Sequence, residues 1–416
     1  MSTQTKSALG PSRPGQLSAT EFIPLIAAMT AIGAMSIDAM LPALGQIGRD
    51  LHVAHANDPQ LVISSIFGGM IFGGLLGGPL SDSFGRKSAL FFGFALYILG
   101  SLLAATATSF PMLLAGRVLQ GFGASIPATV SIALVRDLYV GDAMGRIMSF
   151  SMSVFILVPI LAPMGGQAVM LFGGWRLIFA AYVAIALMVS LWIGIRQPET
   201  LPPDRRQPFA AGRIFSAARE VVGNRPAMGF SMAAGILFGA FLGYLSSSQQ
   251  MFQDGYGVGT SFPFYFASLA ASVGLAMIVN GSLVMRFGMR RLTNLAFIGI
   301  AGLAWLFLPY VLANGGKPPL WAMMAYLALT FFCFGAVLGN LNALSMQALG
   351  HVAGVASAII GSMRMAISMP LGLIIGRAFD GTVLPIVAGF AVLGAVALGA
   401  TLWAELTAPL GAEVKP

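Results

Sequence analysis

Long apolar runs separated by short polar turns repeat along the whole chain. They cover residues 22–44, 61–80, 89–106, 112–135, 147–171 and 177–195, then 228–250, 262–285, 292–312, 320–347, 352–379 and 383–406. A helix needs about 20 predominantly apolar residues to cross a bilayer, while a barrel strand is about half as long and alternates. The pattern therefore predicts an all-α membrane protein with twelve transmembrane helices. The run from Phe22 is too long for a signal-peptide core and lacks an A-x-A cleavage site after it, so it reads as a retained first span.

Between the second and third runs lies a charged turn, Gly78-Pro79-Leu80-Ser81-Asp82-Ser83-Phe84-Gly85-Arg86-Lys87. A degenerate copy, Gly281-Ser282-Leu283-Val284-Met285-Arg286-Phe287-Gly288-Met289-Arg290, sits between the eighth and ninth runs. Repetition in the same orientation is a standard transporter plan. It predicts two pseudo-symmetric six-helix bundles, 22–195 and 226–406, flanked by segments 1–21 and 407–416. The linker 196–225 carries Pro198, Pro202, Pro203 and Pro208 and an expected amphipathic helix near 209–222. Its arginines fit topology determinants and contacts to anionic lipid.

Composition agrees with a lipid-facing exterior. The 416 residues are 57% hydrophobic and only 9% charged, too few charges to cover a water-facing surface. The net charge of +8 does not imply nucleic acid, because the bases lie in loops between spans. Alternate numbering of the loops puts Lys6, Arg13, Arg86, Lys87, Arg136, Arg146, Arg196, Arg205, Arg206, Arg213, Arg219, Arg225, Arg286, Arg290, Arg291 and Lys415 on one side. Only Arg49, Arg176 and Lys317 fall on the other, with Arg377 near a span end. The positive-inside rule then predicts cytoplasmic termini. Cys333, the single cysteine, allows no intrachain disulfide and reads as a small buried hydrophobe. His52, His55 and His351 lie in loops or at span edges, and no metal site is expected. There is no HExxH, GxSxG or Walker loop, so neither an enzyme nor direct ATP drive is expected.

Charges inside spans are costly and default to function. Asp38, Arg117 and Arg364 are the clear ones. Pro42 cannot donate to the carbonyl of Asp38, so the first helix should break there. The Asp38 carboxylate either takes up and releases a proton or satisfies freed backbone donors. Arg117, in Gly116-Arg117-Val118-Leu119-Gln120-Gly121, needs a carboxylate, carbonyls or water around it, and Asp38 lies at similar depth. Arg364 faces a wet cavity or pairs with Asn340, Asn342 or backbone carbonyls. A buried base without a nearby acid would favour neutral or anionic ligands. Pro159, Pro163, Gly165 and Gly166 are expected to interrupt and kink the fifth span, by gating or by ordinary membrane Pro/Gly enrichment.

These segments together resemble the major facilitator superfamily, and more closely its Bcr/CflA drug-exporter branch. Gly78 to Lys87 matches the loop motif between spans two and three. Asp38 with Leu41-Pro42, Arg117 with Gln120-Gly121, and Ala162-Pro163-Met164-Gly165-Gly166 match motifs of spans one, four and five. The resemblance implies a central cavity opening to each side in turn, and coupling through Asp38 and Arg117. It also implies a cytoplasmic latch of Gly78, Asp82, Gly85 and Arg86, with Asp82 facing the start of span eleven near Arg136. Met285 and Met289 replace the acid and base of the second copy, and Arg364 departs from the branch. The expected cavity is lined by Arg117, Gln120, Tyr244, Gln249, Asn340 and Arg364. The expected protein is a proton-driven antiporter without cofactor, monomeric in a bacterial inner membrane, exporting small amphipathic compounds and touching lipid. A dedicated metabolite transporter, or a membrane sensor without flux, is the alternative.

Overall fold

The computed structural model describes residues 17–209, 211–347, 349 and 353–406. Most of the two terminal segments, including Lys6, Arg13 and Lys415, lies outside these residues, as does His351. Thirteen α-helices occur among the described residues: α1 Ala19–Asp38, α2 Leu44–Asp50, α3 Leu61–Phe84, α4 Arg86–Ala105, α5 Phe110–Leu138, α6 Gly141–Arg196, α7 Ala211–Gly223, α8 Arg225–Gln249, α9 Phe262–Phe287, α10 Met289–Ala313, α11 Leu320–Met346, α12 Ala353–Arg377 and α13 Leu384–Glu405. Eleven helical stretches are long and apolar enough to cross a membrane.

The twelfth crossing is hidden in α6. Its helical run of 56 residues has non-helical torsions at two adjacent positions, Gly173 (φ −166°, ψ 19°) and Gly174 (φ 69°, ψ −169°). A positive φ with ψ near 180° is open almost only to glycine. The pair therefore divides α6 into α6a, residues 141–172, and α6b, residues 175–196. Pro159, Pro163, Gly165 and Gly166 do not interrupt the fifth span, because helical torsions continue through them. What Gly166 does provide is contact: a Cβ there would run into the backbone carbonyl of Ala39 at the break in α1.

The two copies of the charged turn fold alike. Gly85 between α3 and α4 (φ 96°, ψ 156°) and Gly288 between α9 and α10 (φ 79°, ψ 150°) hold the same glycine-only conformation. Six crossings precede the linker and six follow it. The linker contains the amphipathic helix expected there: α7 buries Ala217 and Val221 with Ala227, Leu349, Ala356, Ile359 and Ile360. One face of the molecule carries the linker and the α3–α4 turn. The opposite face carries the end of α2, which Trp175 Nε1 meets at Asp50, the Gly173-Gly174 turn and the loops at 250–261 and 378–383.

Candidate functional site

The site begins where α1 ends. Pro42 has no amide hydrogen to continue the ladder, and a single 3₁₀ turn, Leu41–Ala43, separates α1 from α2. Ala39 N still donates to Met35 O, but Met40 N donates to Ile37 O. The carbonyl of Ser36 is thereby released from the helix. Asp38 stands at the break, 6% exposed, and its carboxylate makes no hydrogen bond or ion pair with any described residue.

Arg117 does not pair with Asp38. It is completely buried and uses the released carbonyl instead: Nη2 donates to Ser36 O at 2.9 Å, Nε to Val62 O at 3.0 Å and Nη1 to Gln120 Oε1 at 2.6 Å. Gln120 Nε2 donates on to Ser101 Oγ at 2.8 Å, which donates to Tyr97 O at 2.8 Å. The one proton of Ser36 Oγ goes to Ile32 O at 2.7 Å, so Tyr97 must donate its hydroxyl proton to Ser36 Oγ at 2.6 Å. Tyr182 adds a bond to Met35 O at 3.2 Å. The network joins α1, α3, α4, α5 and α6b, and each guanidinium nitrogen has a partner. Arg117 and Gln120 are therefore structural polar residues of the first bundle in this conformation, not the exposed lining the sequence led us to expect.

Across the interface, α8, which carries Tyr244, packs against the 3₁₀ turn that follows Asp38. Tyr244 is 1% exposed and its hydroxyl has no hydrogen-bond partner among the described residues. Tyr244 ends a row of rings on one side of α8, Phe238, Phe241 and Tyr244, backed by Phe331 and Phe334 of α11. Phe238 also meets Phe67 of α3, 5.9 Å away in the other bundle. The remaining expected lining residues separate. Gln249 is buried at the opposite face and donates to Gln253 Oε1. Asn340 exchanges two amide bonds with Asn280, at 2.9 and 3.1 Å, rather than meeting Arg364. Arg364 alone among them is only half-buried.

The charged turn carries its own cluster. Arg86, 6% exposed, bonds Asp82, Asp137 at 2.9 Å and Ser81 Oγ at 2.7 Å. Asp82 is thus held by Arg86, and it is Arg136 that lies beside Gly354 at the start of α12. Gly78 has open space at its Cβ position and takes no part. Sequence reasoning gave Asp137 and Glu199 no part in this cluster. Glu199 in the linker accepts from the amides of Arg86 and Lys87, both at 3.0 Å, which caps the first turn of α4. A side chain on Gly85 would occupy the place of this carboxylate. Thr200 Oγ1 donates to Asp137 and Gln207 N to Asp82 O, so residues 199–207 are fastened to the first bundle.

At the opposite face the bundles are joined by neutral amides. Asn57 Nδ2 donates to Phe379 O at 2.7 Å and Arg377 O at 3.1 Å. Gln60 bonds Gln250, which donates to Ala56 O at 2.6 Å. Above them lies a cleft of about 810 Å³ whose lining includes His55, Asp254, Lys317 and Asp380. The hydroxyl and amide of Thr382 hold the Asp380 carboxyl below its ordinary pKa. Among the described residues, no three His, Cys, Asp or Glu side chains gather to hold a metal ion.

Two bundles of membrane helices, related by a repeated glycine turn and meeting over buried polar residues, are the architecture of a transporter. Residues 26–373 match the Major Facilitator Superfamily. The chain is 31% identical over 358 residues to the uncharacterized MFS-type transporter YdgK of Bacillus subtilis (strain 168), covering 85% of this chain and 87% of the relative. It is 27% identical over 353 residues to the bicyclomycin resistance protein homolog of Haemophilus influenzae (strain ATCC 51907 / DSM 11121 / KW20 / Rd), covering 84% and 87%. The partially occluded inward-open xylose transporter XylE from E. coli shares its fold, with TM-score 0.72 over 94% of this chain and 98% of that one at 14% identity. The chain belongs to the major facilitator superfamily: it is a multi-pass membrane transporter of small molecules, not an enzyme.

Proposed function

We propose that this transporter is a proton-coupled antiporter that exports small amphipathic, drug-like compounds from the bacterial cell across the inner membrane. It works as a monomer with both termini in the cytoplasm, needs no cofactor, and contacts lipid along its spans. The similarity to a bicyclomycin resistance protein homolog supports drug export. The observation that carries proton coupling is the state of Asp38: a buried carboxylate at a helix break, without a partner among the described residues, next to a turn that packs on the second bundle. A group in that place accepts a proton when the cavity opens to one side and releases it when burial and neighbours change.

Substrate is received by the ring row of α8. Phe238 and Phe241 are half-buried on a helix whose other residues are nearly all buried, so they face the space between the bundles. Aromatic faces take flat apolar groups without demanding one shape. The charged cluster around Arg86 is the cytoplasmic latch, and the Asn57–Gln60–Gln250 amides form the outer closure. The driving force suffices: a proton crossing 100 mV yields about 2.3 kcal/mol and each pH unit adds about 1.36 kcal/mol. Exchange for one neutral molecule then sustains a gradient of several hundred-fold.

The test is accumulation of a chemically varied compound panel in cells expressing wild type or Asp38→Asn at matched protein levels, with and without a protonophore. Lower accumulation with wild type only, abolished by the protonophore, is the expected result. Equal accumulation of every compound would replace drug export with a dedicated metabolite transporter.

A further inference from the structure

The second membrane arginine has a different environment from the first. Every nitrogen of Arg117 has a partner, whereas Arg364, midway along α12, makes no ion pair or hydrogen bond through its guanidinium with any described residue. Its Nε is sealed from solvent without an acceptor. Its place on the helix is also informative. In the half of α12 that follows Arg364, Ala366, Pro370, Ile374 and Arg377 form the exposed stripe, spaced i, i+4, i+8 and i+11, with Ile374 65% exposed. At about 100° per residue, Arg364 falls on the other side, with the buried Ile360, Ser368 and Ile375. Lipid therefore does not explain it.

Neither do the acids of its own bundle. From residue 225 to the end of α13 these are Asp254, Asp380 and Glu405. Asp254 and Asp380 lie at the face opposite the linker, and Glu405 is held near the linker face by Asn294 at 3.1 Å. The amides of Asn340 and Asn280 are spent on each other. An unpaired guanidinium inside a membrane bundle is expensive to maintain, and its planar fork matches a carboxylate or sulfonate. The helix carrying it touches both bundles: Ser362 Oγ donates to Ile71 O of α3 at 2.9 Å, and Gly235 of α8 lies against the Arg364 carbonyl.

We propose that Arg364 is the anion subsite of the transported compound, so that the preferred substrates are amphipathic organic anions whose apolar part lies on the α8 ring row. This rests on the export reading above and narrows it to a charge class. The ligand supplies the acceptor that the protein leaves out, and binding the anion completes a pair within the space between the bundles.

The test uses purified full-length protein in phospholipid vesicles with an imposed pH gradient and three probes of one shape: naphthoate, naphthamide and N-methylquinolinium. Wild type should move naphthoate fastest. Arg364→Gln should slow naphthoate about tenfold or more, the effect of losing a charge-assisted pair. Arg364→Lys should restore part of that rate, and both variants should lose far less rate for naphthamide, which brings no charge to the subsite, with folding read from their thermal midpoints without ligand. Equal losses for naphthoate and naphthamide, or a wild-type preference for N-methylquinolinium, would overturn the assignment. If wild type moves none of the three, the export reading fails for these probes, and binding decides the subsite separately. Naphthoate should then raise the thermal midpoint of wild type and not of Arg364→Gln; no shift with wild type rejects the anion subsite.

Discussion

Single polar side chains in this protein are governed by whether a partner is within reach. Arg117 has lost its hydration but holds three carbonyl-type acceptors, one of them released where Met40 N turns to Ile37 O. Arg117→Ala would leave Gln120 Oε1, Ser36 O and Val62 O without their donor. The expected cost is about 3 kcal/mol or more, read as a lower thermal midpoint in detergent with Arg117→Lys between the two. Asp38→Asn removes no bond and should leave that midpoint unchanged. Asp38, Arg117 and Arg364 stood out in the sequence because each interrupts an apolar run. Asn280, Ser101 and Tyr182 did not, because membrane helices carry such residues commonly and their importance lies in partners on other helices. The proximity of Asp38 and Arg117 in depth was legible, but their lack of direct pairing was not: it depends on which way the Ser36 carbonyl turns.

At the scale of elements, glycines set where helices turn and linker residues set which helices stay together. The repeated turn was readable because Gly85 and Gly288 hold matching positions in two copies. The division of α6 falls between the expected runs 147–171 and 177–195, at Gly173-Gly174, whereas the expected interruption at the proline-glycine segment does not occur: helical torsions continue there and Gly166 packs against Ala39. Prolines inside a helix lose one donor each, a cost that neighbouring helices offset. The capping role of Glu199 was not visible, since nothing in a proline-rich linker tells which carboxylate will find the start of α4. Its removal is a local test. Glu199→Gln should weaken the cap by about 1 kcal/mol. Amide exchange at Arg86 and Lys87 should then rise about fivefold, with exchange in α10 unchanged.

Over the whole molecule, the two faces carry different chemistry. The linker face has a charged cluster, Arg86 with Asp82 and Asp137, fastened by residues 199–207. The opposite face is closed by neutral amides between Asn57, Gln60, Gln250 and the end of α12. Removing the latter should bias the molecule toward opening on that face. In a Cys333→Ser background, spin labels at His55 and Gly381 should show a larger long-distance fraction when Asn57 and Gln250 are both alanine; an unchanged distribution would mean that other contacts hold this face shut. Proton coupling is the claim on which the proposed cycle turns. Its most direct measurement is proton movement by purified protein in vesicles when an exported compound is added, compared between wild type and Asp38→Asn. The account predicts proton flux with wild type, and with Asp38→Asn a compound that still binds but moves no protons. Undiminished compound-driven proton flux in Asp38→Asn would contradict it.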